Sequence, residues 1–144
     1  MKNVLMATTA IAMTAGAAFA DGHANEVKIG VILGFTGPLE SITPAMGAGA
    51  ELAMAEVSEA GALLDGAKVT SVRGDSTCID AGAATTAAER LITVEGVNAI
   101  MGADCSGVTG AILSNVALPN GTVMISPSAT SPGLSTAEDN GLFF

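Results

Sequence analysis

Basic residues are scarce in this chain of 144 residues: five Lys and Arg are set against 14 Asp and Glu, which gives a formal net charge of −9 at pH 7. Proteins that bind nucleic acid neutralise phosphates with clustered basic side chains. We therefore expect no nucleic-acid partner. The single histidine, His23, leaves almost no material for histidine-based catalysis or for a His-rich metal site. The length allows one domain of ordinary size and excludes a large multidomain enzyme.

The N-terminal residues have the pattern of an export signal. Lys2 precedes an uncharged stretch over residues 4–18, and Ala18-Phe19-Ala20 then provides a small-x-small cleavage site. We predict a signal peptide over residues 1–20, cleaved after Ala20, and a mature chain 21–144 that is not inserted in the membrane. A membrane anchor is the alternative, because about 18 residues barely span a bilayer. The removable signal accounts for part of the high mean hydropathy of +0.55.

Cysteine is limited to Cys78 and Cys105. In an oxidising compartment, an even pair far apart in the sequence is typical of a structural disulfide. A redox pair and a pair of metal ligands are the alternatives. A redox pair usually has C-x-x-C spacing, and a zinc site needs further ligands that this chain lacks.

Strand and helix patterns alternate along the rest of the chain. The β-branched, largely apolar run 26–33 is typical of a buried strand in a parallel sheet. An Ala-rich stretch over 45–60, between Pro44 and Gly61, predicts a helix. The same cycle predicts further strands at 68–72, 97–101 and 122–125, helices at 82–94 and 108–118, and a fifth strand beginning within 141–144. The fold class is therefore α/β, a parallel sheet with helices on both faces.

Ligands of open parallel sheets bind beyond the carboxyl ends of the strands, here in the loops 34–43, 103–107 and 126–135. Ser106 falls at the start of the third helix, where free N–H groups favour a small anion such as a carboxylate. An N-cap role for this serine is the alternative. The last loop presents the hydroxyls of Ser128 and Thr130 on a proline-restricted backbone, which suits a zwitterion or another small polar solute. A well-ordered turn is the alternative.

Enzymatic functions are less consistent with the residues. Ser106 has no base near it in the sequence, so a Ser–His–Asp relay is not expected. The G-x-G-x-x-G pattern of dinucleotide-binding loops is absent. Asp104 follows the third strand without companion ligands at metal-site spacing. We expect a protein that is not an enzyme and that binds neither a cofactor nor a metal.

Several segments together resemble the periplasmic solute-binding proteins of branched-chain amino-acid ABC transporters, the leucine/isoleucine/valine-binding protein family. The resemblance covers residues 26–144 and is carried by residues 29–38, 49–51, 75–78, 105–106 and 125–132. It implies a type I periplasmic binding fold of two lobes that close on an amino acid and deliver it to a membrane permease. The chain also ends in an apolar segment, which predicts a fragment. Residues 21–144 would form most of the first lobe, with the second lobe and the returning segments absent.

The resemblance also assigns roles to individual residues. It implies a disulfide between Cys78 and Cys105, a ligand carboxylate bound by the Ser106 hydroxyl and the Thr130 N–H, and a ligand ammonium bound by the Ser128 carbonyl and the Thr130 hydroxyl. Ile42 replaces an aromatic residue that amino-acid binders often carry near the ligand side chain, so a related solute is also compatible. A ligand-sensing domain of a receptor, and less readily an exported α/β hydrolase, are the alternatives.

Overall fold

The computed structural model describes residues 26–144. The predicted signal peptide over 1–20 and His23 lie outside the described residues. None of the helices within 26–144 combines the length and the apolar character needed to cross a membrane.

Four parallel strands form the sheet, in the order β2-β1-β3-β4. The strands are β1 (Glu26–Leu33), β2 (Lys68–Asp75), β3 (Ala99–Gly102) and β4 (Val123–Ile125). β1 is central: it pairs with β2 along its whole length on one side and with β3 on the other. Its apolar end is buried, as the run of β-branched residues requires. The predicted parallel sheet is confirmed.

Helices cover both faces of the sheet, as predicted. The helical elements are α1 (Thr43–Ala60), α2 (Ala81–Thr93), α3 (Ser106–Ile112), a π-helical turn (Leu113–Ala117) and α4 (Leu118–Asn120). The last three are continuous and end at Gly121, whose φ of 64° is left-handed. The predicted third helix, 108–118, is therefore too short at both ends. Pro119 does not end it, because the preceding π-turn already interrupts the regular hydrogen-bond pattern that proline would break.

The strand boundaries differ most from the predicted ones at the end of β2 and at the start of β3. β2 continues beyond Val72 to Asp75, and its polar residues pair in register with the buried end of β1. Polar residues are tolerated there because β2 lies at the edge of the sheet formed by the described residues. β3 begins at Ala99 instead of Val97, because the Asn98 side chain accepts the N–H of Lys28 at 2.8 Å in place of a regular ladder bond.

The segment 141–144 forms an isolated parallel bridge, not the fifth strand that the sequence predicts. Phe143 bridges Met124. The N–H of Met124 donates to Leu142 at 2.7 Å, and Phe144 donates back to Met124 at 3.0 Å. These bonds place residues 142–144 beside β4.

The hydrophobic core lies between the sheet and α2, α3 and the π-turn. Its largest fully buried side chains include Ile32, Leu91, Ile100, Ile112, Leu113, Val116 and Met124. α1 packs on the opposite face against β1 and β2. Beside α1, that face leaves an apolar groove of about 370 Å³ over β1, β3 and β4. Within the described residues nothing covers this groove, and Ile125 at its margin is 54% exposed.

Candidate functional site

Parallel strands bring the loops that follow them to one edge of the sheet. The three loops predicted to bind a ligand, 34–43, 103–107 and 126–135, follow β1, β3 and β4. The loop after β2, residues 76–80, joins them at this edge. That loop was not among the three predicted ones, although Cys78 lies in it.

A disulfide joins the loop after β2 to the loop after β3. Cys78 and Cys105 are bonded, with their Cα atoms 5.2 Å apart. Cys105 occupies the N-cap position of α3, directly before Ser106, and makes no side-chain cap bond. The covalent link therefore holds the backbone from which the Ser106 side chain extends.

The side chain of Ser106 links two loops. Ser106 is the first residue of α3, so the alternative in which it caps the helix is wrong. Its Oγ accepts the backbone N–H groups of Thr130 and Ser131, each at 3.0 Å. The structure thus brings Ser106 and Thr130 together, and the Thr130 N–H is bonded to the serine hydroxyl. The Thr130 side chain is exposed.

Two further serines fasten the loop after β4 to the loop after β3. Ser126 Oγ donates to the carbonyl of Ala103 at 2.7 Å and accepts the N–H of Ala129 at 2.8 Å. Ser128 Oγ donates to the carbonyl of Asp104 at 2.9 Å. The hydroxyl proton of Ser128 is therefore used within the protein, although the hydroxyl oxygen can still accept a hydrogen bond. Sequence reasoning missed Ser126, because the carbonyl to which it donates lies 23 residues earlier.

Asp75 joins the loops after β1 and β2. Its carboxylate accepts the hydroxyl of Thr36 at 2.6 Å and the N–H of Thr77 at 2.8 Å. Partial burial raises the pKa of Asp75. Hydrogen bonds from the Thr36 side chain and from the backbone of Thr77, Thr36 and Phe35 lower it by more than burial raises it, so the pKa of Asp75 lies below its ordinary value. The ionised carboxylate is thus the form that this loop arrangement stabilises.

An ion pair supports the first loop from the edge of the sheet. Arg73 donates to both carboxylate oxygens of Glu51, at 2.6 and 2.8 Å, and lies 4.9 Å above the ring of Phe35. The hydrogen bond from Arg73 lowers the pKa of Glu51, against a smaller opposing effect of burial. Ile42, at the start of α1, is 51% exposed and is free to contact a solute outside the loops.

A cleft of about 350 Å³ opens beside Thr130. It lies between the loop after β4 and the segment that returns to this strand, and its lining is Ser126, Ala129, Thr130, Ser131, Leu134, Ser135, Asp139, Phe143 and Phe144. Hydroxyl groups, one carboxylate and two aromatic rings in such a volume suit a small polar molecule. Of the three predicted ligand residues, only Thr130 lines this cleft; Ser106 and Ser128 lie outside its lining.

A family model described as periplasmic binding protein matches residues 26–144. The chain belongs to this family. Among curated relatives, the Leu/Ile/Val-binding protein homolog 7 of Brucella abortus is 36% identical over 107 residues, covering 74% of this chain and 25% of the relative. Homolog 3 of Brucella melitensis is 32% identical over 142 residues, covering 94% of this chain and 35% of the relative. The chain thus spans about a quarter to a third of the relatives' length.

Solved structures of the periplasmic binding protein family share the fold. The branched-chain amino acid transporter substrate binding protein LivJ from Streptococcus pneumoniae, in complex with isoleucine, has a TM-score of 0.73 and 33% identity over 83% of this chain and 33% of that protein. An ABC transporter substrate-binding protein from Desulfitobacterium hafniense, in complex with Leu, has a TM-score of 0.70 and 28% identity over the same shares, 83% and 33%. The resemblance to leucine/isoleucine/valine-binding proteins and the α/β fold class are confirmed. The names of these relatives describe binding proteins.

Proposed function

We propose that the protein is an extracytoplasmic solute-binding protein of an ABC importer that binds a branched-chain or related amino acid. The observation that carries the proposal is the contact of Ser106 Oγ with two successive backbone N–H groups, of Thr130 and Ser131, at the ligand-binding edge of the sheet. Hydroxyl and N–H donors converge there without a basic side chain. The isoleucine and leucine named in the two structural neighbours are ligands of the proposed class.

The chemistry of the site fits the two charged groups of an amino acid. In the bound state, the ligand carboxylate replaces Ser106 Oγ as the acceptor of the Thr130 N–H, and the freed Ser106 O–H donates to the same carboxylate. The serine hydroxyl can make this exchange because it is both a donor and an acceptor. The Ser128 carbonyl and the Thr130 hydroxyl accept from the ammonium group. Hydrogen bonds to charged groups contribute about 1.5–3 kcal/mol each, enough for specific recognition.

The chain provides one wall of the proposed binding cleft. Residues 21–144 form most of the first of two lobes, and the second lobe closes over the ligand from the opposite side. The uncovered apolar groove beside α1 supports the part of this proposal that places further protein against the lobe, because contiguous apolar surface of this kind marks an interaction site. The bound ligand stabilises the closed form by about RT ln(1+[L]/Kd).

The proposal includes export and delivery but no chemical step. The signal peptide over 1–20 is removed after Ala20, the mature protein resides in the periplasm, and its partner is the membrane permease of the importer. The sequence contains a single histidine, His23, 83 residues before Ser106. Its position supports binding without catalysis. N-terminal sequencing of the exported protein is expected to begin at Asp21.

Calorimetry on the full-length mature protein tests the function. Titration with leucine, isoleucine and valine, followed by the remaining amino acids, is expected to give saturable heat with at least one branched-chain member. Lysine and glutamate serve as charged controls, because the loops carry few charged side chains to pair with a charged ligand side chain. Absence of heat with every amino acid would contradict the substrate assignment, and turnover of an amide or ester would contradict the absence of catalysis.

A further inference from the structure

Asp104 is a buried carboxylate at the centre of the candidate site. It is 3% exposed. Its Oδ1 accepts the N–H of Gly34 at 2.9 Å and the hydroxyl of Ser76 at 3.2 Å. Gly34 follows β1 and Ser76 follows β2, whereas Asp104 follows β3. A single oxygen atom therefore joins three of the four loops at this edge.

The backbone of Asp104 adds the fourth loop. Its carbonyl accepts the hydroxyl of Ser128, in the loop after β4, at 2.9 Å. The next residue, Cys105, is bonded to Cys78. Ser106, which holds the N–H groups of the loop after β4, lies two residues beyond Asp104. The Ser106 hydroxyl, which is proposed to bind the ligand, is thus connected to every loop of the site through Asp104.

Packing around Gly34 shows how closely these loops approach. A Cβ atom at Gly34 would lie 3.2 Å from the Cβ of Cys78 and 3.3 Å from Oδ2 of Asp104. The absence of a side chain at Gly34 therefore eases the approach of its N–H to the buried carboxylate.

A buried carboxylate is costly unless its oxygens are bonded. The two ion pairs among residues 26–144 join Arg73 to Glu51 and Arg90 to Glu95, so Asp104 has no basic partner there. Its hydrogen bonds come instead from the Gly34 N–H and the Ser76 hydroxyl, which belong to the loops after β1 and β2. We propose that Asp104 is a positioning residue, which aligns Ser106 with the loop after β4 for ligand binding. This inference rests on the proposed function.

Variants of Asp104 distinguish a role in positioning Ser106 from a role in overall stability. Asp104→Ala leaves the Gly34 N–H and the Ser76 hydroxyl buried without their acceptor. Asp104→Asn retains an oxygen that can accept both. Ser58→Ala is the matched control, because Ser58 Oγ accepts the N–H of Val69 at 2.7 Å near the opposite end of the sheet.

The variants are compared in the full-length mature protein by ligand affinity and by amide hydrogen exchange without ligand. For Asp104→Ala we expect affinity to fall by about tenfold or more, and exchange at Thr130 and Ser131 to accelerate. These two amides do not touch the Asp104 side chain. Asp104→Asn is expected to stay within about threefold of the wild type. Ser58→Ala is expected to lower Tm without altering either readout.

The outcomes are distinguishable. Unchanged affinity and unchanged exchange in Asp104→Ala overturn the proposal, as does an Asp104→Asn variant impaired as much as the alanine variant. If Asp104→Ala does not fold, Ser76→Ala is tested in its place, because it removes one of the two hydrogen bonds to the Asp104 carboxylate. Faster amide exchange at Thr130 in this variant supports the positioning role of Asp104, and unchanged exchange overturns that role. If the wild type binds no amino acid, the proposed function fails, and the exchange data alone decide the role of Asp104.

Discussion

The Oγ atom of Ser106 accepts the backbone N–H groups of both Thr130 and Ser131, at 3.0 Å each. The contact spans 24 residues of sequence and connects the start of α3 with the loop after β4. Because one oxygen holds two successive N–H groups, the loop is fixed in orientation as well as in position. In the proposed binding mode, the donors for the ligand carboxylate are therefore already aligned before a ligand arrives, which reduces the ordering cost of binding.

Ser106→Ala is expected to weaken amino-acid binding in the full-length protein. The variant loses the hydroxyl donor and releases two N–H groups, and loss of one hydrogen bond to a charged group corresponds to roughly 10- to 150-fold in affinity. Calorimetry measures the change. Ser114→Ala, at an exposed position further along the same helical segment, is the control. Wild-type affinity in Ser106→Ala would remove this serine from the site.

The disulfide is expected to contribute substantially to stability. Cys78 and Cys105 are 27 residues apart, and closing a loop of this size stabilises a fold by roughly 3–4 kcal/mol in the chain-entropy model. The double variant Cys78→Ser/Cys105→Ser should lose about that free energy of unfolding in a denaturant titration. Reduction of the wild type should reproduce the loss, and reductant should not affect the double variant. An unchanged midpoint in the double variant would argue against the link.

Gly102→Ala is expected to be strongly destabilising. Gly102 has φ = 139°, and a Cβ atom there would collide with the backbone carbonyl of Ile32 in the neighbouring strand. We expect a loss of more than about 2 kcal/mol. Gly49→Ala is the matched control in α1, where a Cβ meets nothing within 4 Å; alanine is there expected to stabilise by about 0.5–1 kcal/mol. Thermal unfolding of both variants checks the pair, and equal Tm values would contradict the clash.

Asp75 is expected to make the protein sensitive to acid. Its pKa in the folded state lies below the ordinary value of 3.8. The contribution of Asp75 to the free energy of unfolding is therefore complete above pH 3.8 and is lost as the pH falls through the pKa of the folded state. The difference in unfolding free energy between wild type and Asp75→Asn should therefore shrink on acidification. Denaturant titrations at a series of pH values, from neutral to below 3.8, measure this difference. Thr36→Ala should give an intermediate slope, and a pH-independent difference would contradict the assignment.

Sequence patterns predicted the sheet well and the contacts within the site poorly. The apolar run ending at Leu33 indicated a buried strand of a parallel sheet because burial on both faces leaves a continuous signal. The end of β2 was misplaced because Arg73 resembles a loop residue, although its side chain stacks on Phe35. The contacts of Asp104 have no local signature, since Gly34 and Ser76 precede it by 70 and 28 residues. Such pairs become neighbours only when the strand order is known.

The strand order also determines when the sheet can form. β1 is synthesised first but lies between β2 and β3, and Gly30 in β1 pairs with Ile100 in β3. The central strand therefore remains without one of its partners until about 70 further residues have left the ribosome. Pairing between such distant segments is intrinsically slow. A nascent chain of this topology stays unfolded for longer than one built from local hairpins, and in the proposed export this delay favours translocation before folding.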